Sequence, residues 1–295
     1  MKNMMVFHDV KVQDANAMSS LSIVGFPPVR AFEGLTHNIE RKLQNTQLKG
    51  FKVKSFGVSV KEFSLNAVES DRKLYLNYKA KPIIRNKKKK GKFTNASEFP
   101  EATCSMTTTL FLEYDFDKRI EENDVQMIQN LFFIQRIAGG MIINKPKVEL
   151  FQIFDESSEK KFLRKLMLGY CIVERRDLAI EAMKNGKDAC DAVLDFLRVY
   201  NTYSKDEEGN VSRSRGRRLR KGWIVPISTG FKGISDYFVS QSQRDMDVPH
   251  RLAESVTTLG QFIMPMKVDC VENVLWRRSV NGDLYVCEQV KAYVG

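Results

Sequence analysis

A short apolar run, Met4 to Phe7, opens the chain and predicts a first strand over Met4–Val12. Small and polar residues follow, with Asn16, Ser19, Ser20 and Gly25 among them, before Pro27 and Pro28 stiffen the entry to a helix. Phe32, Leu35, Ile39 and Leu43 recur at helical spacing, which predicts a helix from about Arg30 to Leu43 with one face on a core. His37 and Arg41, four residues apart, share a different face, and Lys49 and Gly50 make a basic, glycine-closed end. Phe51–Leu65 alternates in part and reads as a strand bent at Gly57; Lys73–Ile84 alternates as well. Thr103, Thr107, Thr108 and Thr109 give Ala102–Phe116 high β-propensity. Val125, Ile128, Leu131 and Phe132 then predict a helix over Glu121–Ile137, ended by Gly139 and Gly140. Met141–Ile143, Val148–Phe154 and Tyr170–Val173 read as extended.

The order strand, helix, strands, helix, strand is that of a ferredoxin-like or RRM-like unit with inserted strands. After Glu174 the texture changes. Arg176–Lys184 and Ala189–Tyr200 are helical in pattern, Ser204–Lys221 is polar and expected to be mobile, and GWIVPISTGF is an apolar strand and turn. His250–Ile263 reads as another helical piece, and Asn281-Gly282 signals a hairpin. The predicted fold class is therefore α+β: an RRM/ferredoxin-like domain over 1–175 and a smaller, mixed, partly helical subdomain over 176–295, whose closing hairpin returns to the first.

Composition narrows the function classes. With 43% hydrophobic residues among 295, the chain has the material for a packed core. No apolar run approaches the roughly 20 residues of a membrane helix. In MKNMMVFHDV, Asp9 follows a very short apolar run, so neither a secretory signal nor a membrane role is expected, and the expected compartment is cytoplasmic. A formal charge of +11 fits a polyanionic partner, or no more than a soluble basic protein; composition alone leaves both open. The five cysteines, Cys104, Cys171, Cys190, Cys270 and Cys287, form no CxxC pair, and only His8, His37 and His250 join them. Reduced thiols are expected, with no metal and no cofactor.

Catalytic signatures are missing: there is no Walker loop, dinucleotide fingerprint, nucleophile elbow or HExxH. His37 has the chemistry for general acid–base work in metal-free RNA cleavage, or for a plain hydrogen bond on a helix surface. Two basic runs stand out, Lys87–Lys90 and the set Arg213, Arg215, Arg217, Arg218 and Arg220. Either is a solvated loop or a phosphate contact; guanidinium groups favour the second for the arginines. Trp223 and Phe231 follow closely, as base platforms or as core. The aromatic strand motif by which RRM domains stack bases does not occur.

Several segments, in order, carry a resemblance: ANAMSS at Ala15–Ser20, GFPPVRAFEGLTHNIERKL at Gly25–Leu43, RIAGG at Arg136–Gly140, KGWIVPISTGF at Lys221–Phe231, RLAESVTTLGQF at Arg251–Phe262, and VLW at Val274–Trp276. Together they resemble the small tail subunit of the type I-F (Csy) CRISPR surveillance complex, in the Cas-five branch of the RAMP proteins. The resemblance implies a subunit that does not cut. It implies one that holds the 5′ handle of the guide RNA (crRNA), pairs with the large Cascade subunit, caps the row of backbone subunits, and meets target DNA only in the assembled complex. The residues it points to for RNA are Asn16, Ser19, Ser20, His37, Arg41, Arg136, Gly139 and Gly140. The arginines Arg213, Arg215, Arg217 and Arg218, and Trp223, join them from the basic connection. Two other readings stay open: a metal-independent endoribonuclease that processes CRISPR precursor RNA through His37, and a general nucleic-acid-binding protein.

Overall fold

The chain is described from a computed structural model covering residues 1–71, 73–76, 84–85, 93–94, 101–206, 208–241, 243 and 245–293. The lysine run at Lys87–Lys90 lies outside these residues. The chain starts with β1 (Lys2–Asn16), a short hairpin of β2 (Met18–Ser20) and β3 (Ile23–Val24), and helix α1 (Val29–Leu43). Strand β4 (Lys52–Leu65) follows, then the small pairs β5 (Ala67–Ser70) with β6 (Lys73–Leu76) and β7 (Ile84–Arg85) with β8 (Phe93–Thr94). Next come β9 (Thr103–Asp115), α2 (Glu122–Phe133), β10 (Arg136–Ile137), β11 (Gly140–Ile142) and β12 (Lys147–Ile153). Then α3 (Glu156–Lys165), β13 (Tyr170–Glu174), α4 (Arg176–Lys184), α5 (Ala189–Leu197), β14 (Tyr200–Lys205) and β15 (Val211–Arg217) follow. The chain closes with β16 (Trp223–Gly233), β17 (Ala253–Ile263), β18 (Trp276–Asn281) and β19 (Leu284–Gln289).

The fold is α+β, built on one large antiparallel sheet with five α-helices among the described residues. In its N-terminal half the strands lie in the order β12–β1–β9–β4, with α1 joining β1 to β4 and α2 joining β9 to β12. From β4 the pairings run on through β13, β17, β16, β19 and β18, and β18 returns to β4 at Trp276 opposite Phe56. Those six strands close a ring. Trp276, fully buried, donates its indole N–H to the Ile172 carbonyl at 3.2 Å and so ties β18 to β13.

Both faces of the sheet are covered. Met5 and Phe7 point to the side where Phe32, Leu35, Ile39 and Leu43 of α1 and Ile128 and Phe132 of α2 sit. Met4 and Val6 point to the other, against Phe162, Leu163 and Leu166 around α3. Alternate residues of one strand thus feed two cores, which is why Met4–Phe7 is continuously apolar. Leu178 and Ala179 of α4 cover a third cluster with Ile224 and Leu259.

Several sequence expectations need correction. Ala253–Ile263, expected within a helix, is strand β17, paired with β16 from Ala253 to Phe262. The helix expected to reach Ile137 stops at Phe133, and Ala189–Tyr200 is helical only to Leu197. Within the polar segment Ser204–Lys221, Val211–Arg217 is strand β15, paired with β14 (Tyr200–Lys205). The register of β4 shifts at Val53/Ser55 and Val60/Glu62 rather than at Gly57. A Cβ at Gly57 would meet the Phe111 ring at 2.2 Å, so glycine there serves close packing.

Candidate nucleic-acid interface

Strand β1 does not run straight. Asp9 (φ 51°) and Asp14 (φ 56°) take left-handed backbone conformations at the two places where its register against β9 slips. Asp and Asn tolerate that region better than most residues. The second slip precedes Ala15 and Asn16, the end of β1, which lies against the hairpin β10–β11. There Ala138 (φ 50°) and Gly139 (φ 78°) form a two-residue turn between Ile137 and Gly140, the geometry that suits a tight hairpin. The Asn16 N–H donates to the Ala138 carbonyl at 2.8 Å, which fixes the turn on β1.

This junction brings together residues that lie about 120 positions apart in sequence: Asn16, Arg136, Gly139 and Gly140 share one edge. Asn16 is exposed and its amide brackets Met18, accepting from its N–H at 2.9 Å and donating to its carbonyl at 3.1 Å. Arg136 is exposed, with Nη1 3.4 Å from the Gly139 carbonyl. Ser20 is half-buried, with its Oγ 3.4 Å from that of Ser22. Ser19 differs from the expectation of an open loop: its side chain is buried, and its Oγ has no hydrogen-bond partner among the described residues.

His37 and Arg41 are exposed on α1. His37 lines a cleft of about 230 Å³ with Glu33, Glu40, Lys52, Lys54, Arg277 and Arg278. Both carboxylates there have structural work. Glu40 accepts from the Val53 backbone N–H at 2.8 Å, and Glu33 pairs with Arg30 at 3.3 Å and Arg278 at 4.0 Å.

The backbone at 213, 215 and 217 belongs to the hairpin β14–β15, whose first strand is exposed throughout. Arg218, beyond it, donates to the Ile224 carbonyl at 3.0 Å and so anchors the hairpin's exit to β16. Trp223 is 52% exposed. It helps to line an open pocket of about 550 Å³ together with Phe26, Phe63, Tyr170 and Phe262. These four were missing from the sequence-based site: Phe63 and Tyr170 lie outside every quoted segment, and Phe26 and Phe262, though inside two of them, come together with the others only in the fold.

Burial pushes the thiols of Cys104, Cys171 and Cys287 up to about 12, so they stay protonated. All five cysteines are free. Among the described residues, no group of three or more His, Cys, Asp or Glu side chains is placed to hold a metal ion. No helix among them is long and apolar enough to cross a membrane.

The family comparison agrees with the segments quoted at the outset. Residues 5–287 match the family model of the CRISPR-associated protein Cas_Csy2, and the chain belongs to that family. That makes it a component of a type I-F Csy system. It is 24% identical over 305 aligned positions to the CRISPR-associated protein Csy2 of Pseudomonas aeruginosa (strain UCBPP-PA14), spanning 93% of this chain and 90% of that protein.

Proposed function

We propose that this chain is a non-catalytic guide-RNA-binding subunit of a type I-F CRISPR Cascade complex in the cytoplasm. It holds the crRNA 5′ handle and pairs with the large subunit at the complex tail, next to the backbone subunits and, in the assembled complex, target DNA. The observation that carries this reading is the junction at the end of β1. Asn16, the Ala138–Gly139 turn and Arg136 present polar groups, exposed backbone and a guanidinium on one edge of a chain with charge +11. Close backbone approach with a few cations suits recognition of an RNA backbone by shape, while base pairing reads the target.

The strand order β12–β1–β9–β4, with a helix in each crossover, supports an RRM/ferredoxin-like core over 1–175. The hairpin β18–β19, reaching back to β4, supports a partly helical subdomain over 176–295 that closes onto it. The non-catalytic reading draws support from His37. A general base in RNA cleavage needs a second acid–base group, and Glu33 and Glu40 beside it are already engaged. The test is to purify the chain with its natural partners and sequence the RNA that comes with it. Enrichment of repeat-derived 5′ ends is expected; a random RNA population would overturn the reading.

A further inference from the structure

The pocket beside Trp223 has no part in the junction just described, and its composition is unusual for a soluble surface. Trp223 leans on Phe262, ring centroids 4.9 Å apart at 46°, and meets Tyr170 edge-on at 5.9 Å and 72°. Phe262 meets Phe26 edge-on at 5.5 Å, and Phe26 lies 6.4 Å from Phe63. Three of these rings remain open to solvent: Phe63 is 38% exposed, Tyr170 40% and Trp223 52%. Aromatic side chains normally bury most of their area, and a concave cluster left open marks a place where something else completes the packing.

We propose that this pocket is a stacking site for one unstacked base of single-stranded RNA. The inference rests on the RNA-holding reading above and adds the subsite. An aromatic slot accepts a flat ring on its π-face whatever the base, which an aliphatic pocket does less well. Its position favours RNA over an apolar protein side chain. The loop at Val24–Phe26, which follows the polar stretch from Asn16, forms one wall. Another wall begins at Trp223, two residues after Lys221 and at the end of the basic connection, where Arg218 holds the Ile224 carbonyl and Arg220 pairs with Glu181 at 3.4 Å. Lys61 stands at the rim, held by an ion pair with Asp9. Glu62 is the rim's carboxylate, and it accepts a hydrogen bond from Thr107 at 2.8 Å. The Gly25 N–H donates to the Ala17 carbonyl at 2.8 Å, which sets the Val24–Phe26 wall next to the Asn16 edge.

The chain provides a direct reporter. It has two tryptophans, and Trp276 is fully buried, so solvent-accessible emission comes from Trp223. The full-length chain is titrated with single-stranded repeat RNA while tryptophan emission and RNA affinity are followed together. A second RNA carries thio-substituted uridines for photo-cross-linking. The expected result is quenching of Trp223, cross-links at Phe63, Tyr170 or Trp223, and loss of about 5- to 100-fold in affinity for Trp223→Ala, with Trp223→Phe recovering most of it. Normal RNA affinity with unchanged emission and an unaffected Trp223→Ala variant would overturn the pocket and leave the RNA-holding reading standing. No RNA binding at all would overturn both. Shielding of Trp223 from acrylamide by a partner protein, and not by RNA, would overturn the pocket in favour of an apolar protein contact.

Discussion

Gly140 sits against Ala15 so closely that a Cβ on it would lie 2.6 Å from the Ala15 nitrogen and 2.7 Å from its Cα. Real Cβ atoms do not approach backbone that closely, so the hairpin β10–β11 is seated on the end of β1 by the absence of a side chain. Gly140→Ala must lift the hairpin or shift β1. The expected cost is about 2–3 kcal/mol, in the upper part of the range of overpacking, read from denaturant midpoints. Gly139 is the matched control. Its φ of +78° strains any L-residue, but nothing lies within 4 Å of its added Cβ. Gly139→Ala is expected to cost about 1 kcal/mol through backbone strain alone. Equal costs for the two would mean that the turn is not seated as described.

Trp276 makes a second prediction, about stability alone. It is fully buried where the ring of strands closes, with its indole N–H bonded to Ile172. Trp276→Ala removes a large core side chain and leaves that carbonyl without its donor. A loss of about 3–5 kcal/mol is expected, measured by urea denaturation. A loss below 1 kcal/mol would show that β18 does not close the ring onto β4 and β13.

Acid should loosen the pairing of β1 with β12. Burial raises the pKa of Glu149, but hydrogen bonds from Lys165 and His8 outweigh it together and bring the carboxyl below its ordinary value of 4.5. A carboxylate depressed in the folded state adds stability above its unfolded pKa and loses it as pH falls through the folded value. The stability gap between the natural chain and Glu149→Gln is therefore expected to be full at neutral pH. It should close as pH drops from about 4.5 downward, in thermal melts across a pH series. A gap that does not change with pH would contradict the assignment.

Much of this architecture can be read from the sequence where one physical signal dominates. The amphipathic face of α1, through Phe32, Leu35, Ile39 and Leu43, and the Asn281-Gly282 turn each follow from local chemistry. Strand β17 does not. Leu252, Val256, Leu259 and Ile263 fall at helical spacing. The strand lies between β13 and β16, with Leu259 on the α4 cluster and Ile263 on the α3 cluster from one face, and Phe262 on the main core from the other. Burial on both faces removes the alternation that marks a strand. The end of α2 was misread for a related reason: Ile137 continues the apolar pattern of the helix, but it is buried from the hairpin β10–β11. On the site side, Asn16 and the double glycine were legible as small and polar stretches. Their meeting was not, since it depends on the left-handed Asp14 that bends β1. The aromatic pocket depends wholly on tertiary placement.

The arginine hairpin predicts a salt effect. Neutralising Arg213, Arg215, Arg217 and Arg218 together should weaken RNA binding. If all four contact phosphate, the salt slope should fall by up to about 3, since each phosphate contact on a single strand contributes about 0.7. Arg218→Gln alone should change the slope least, because that guanidinium already holds the Ile224 carbonyl. An unchanged slope in the fourfold variant would return the hairpin to a solvated role.

The central claim is that this chain holds the guide RNA by its 5′ end and does not cut it. The most direct measurement follows labelled guide RNA, with and without its 5′ handle, incubated with the purified chain in EDTA, scoring binding and cleavage in the same samples. The account predicts intact RNA throughout, with binding that drops sharply when the handle is removed. Equal affinity for both RNAs, or cleavage in EDTA that His37→Ala abolishes, would contradict it.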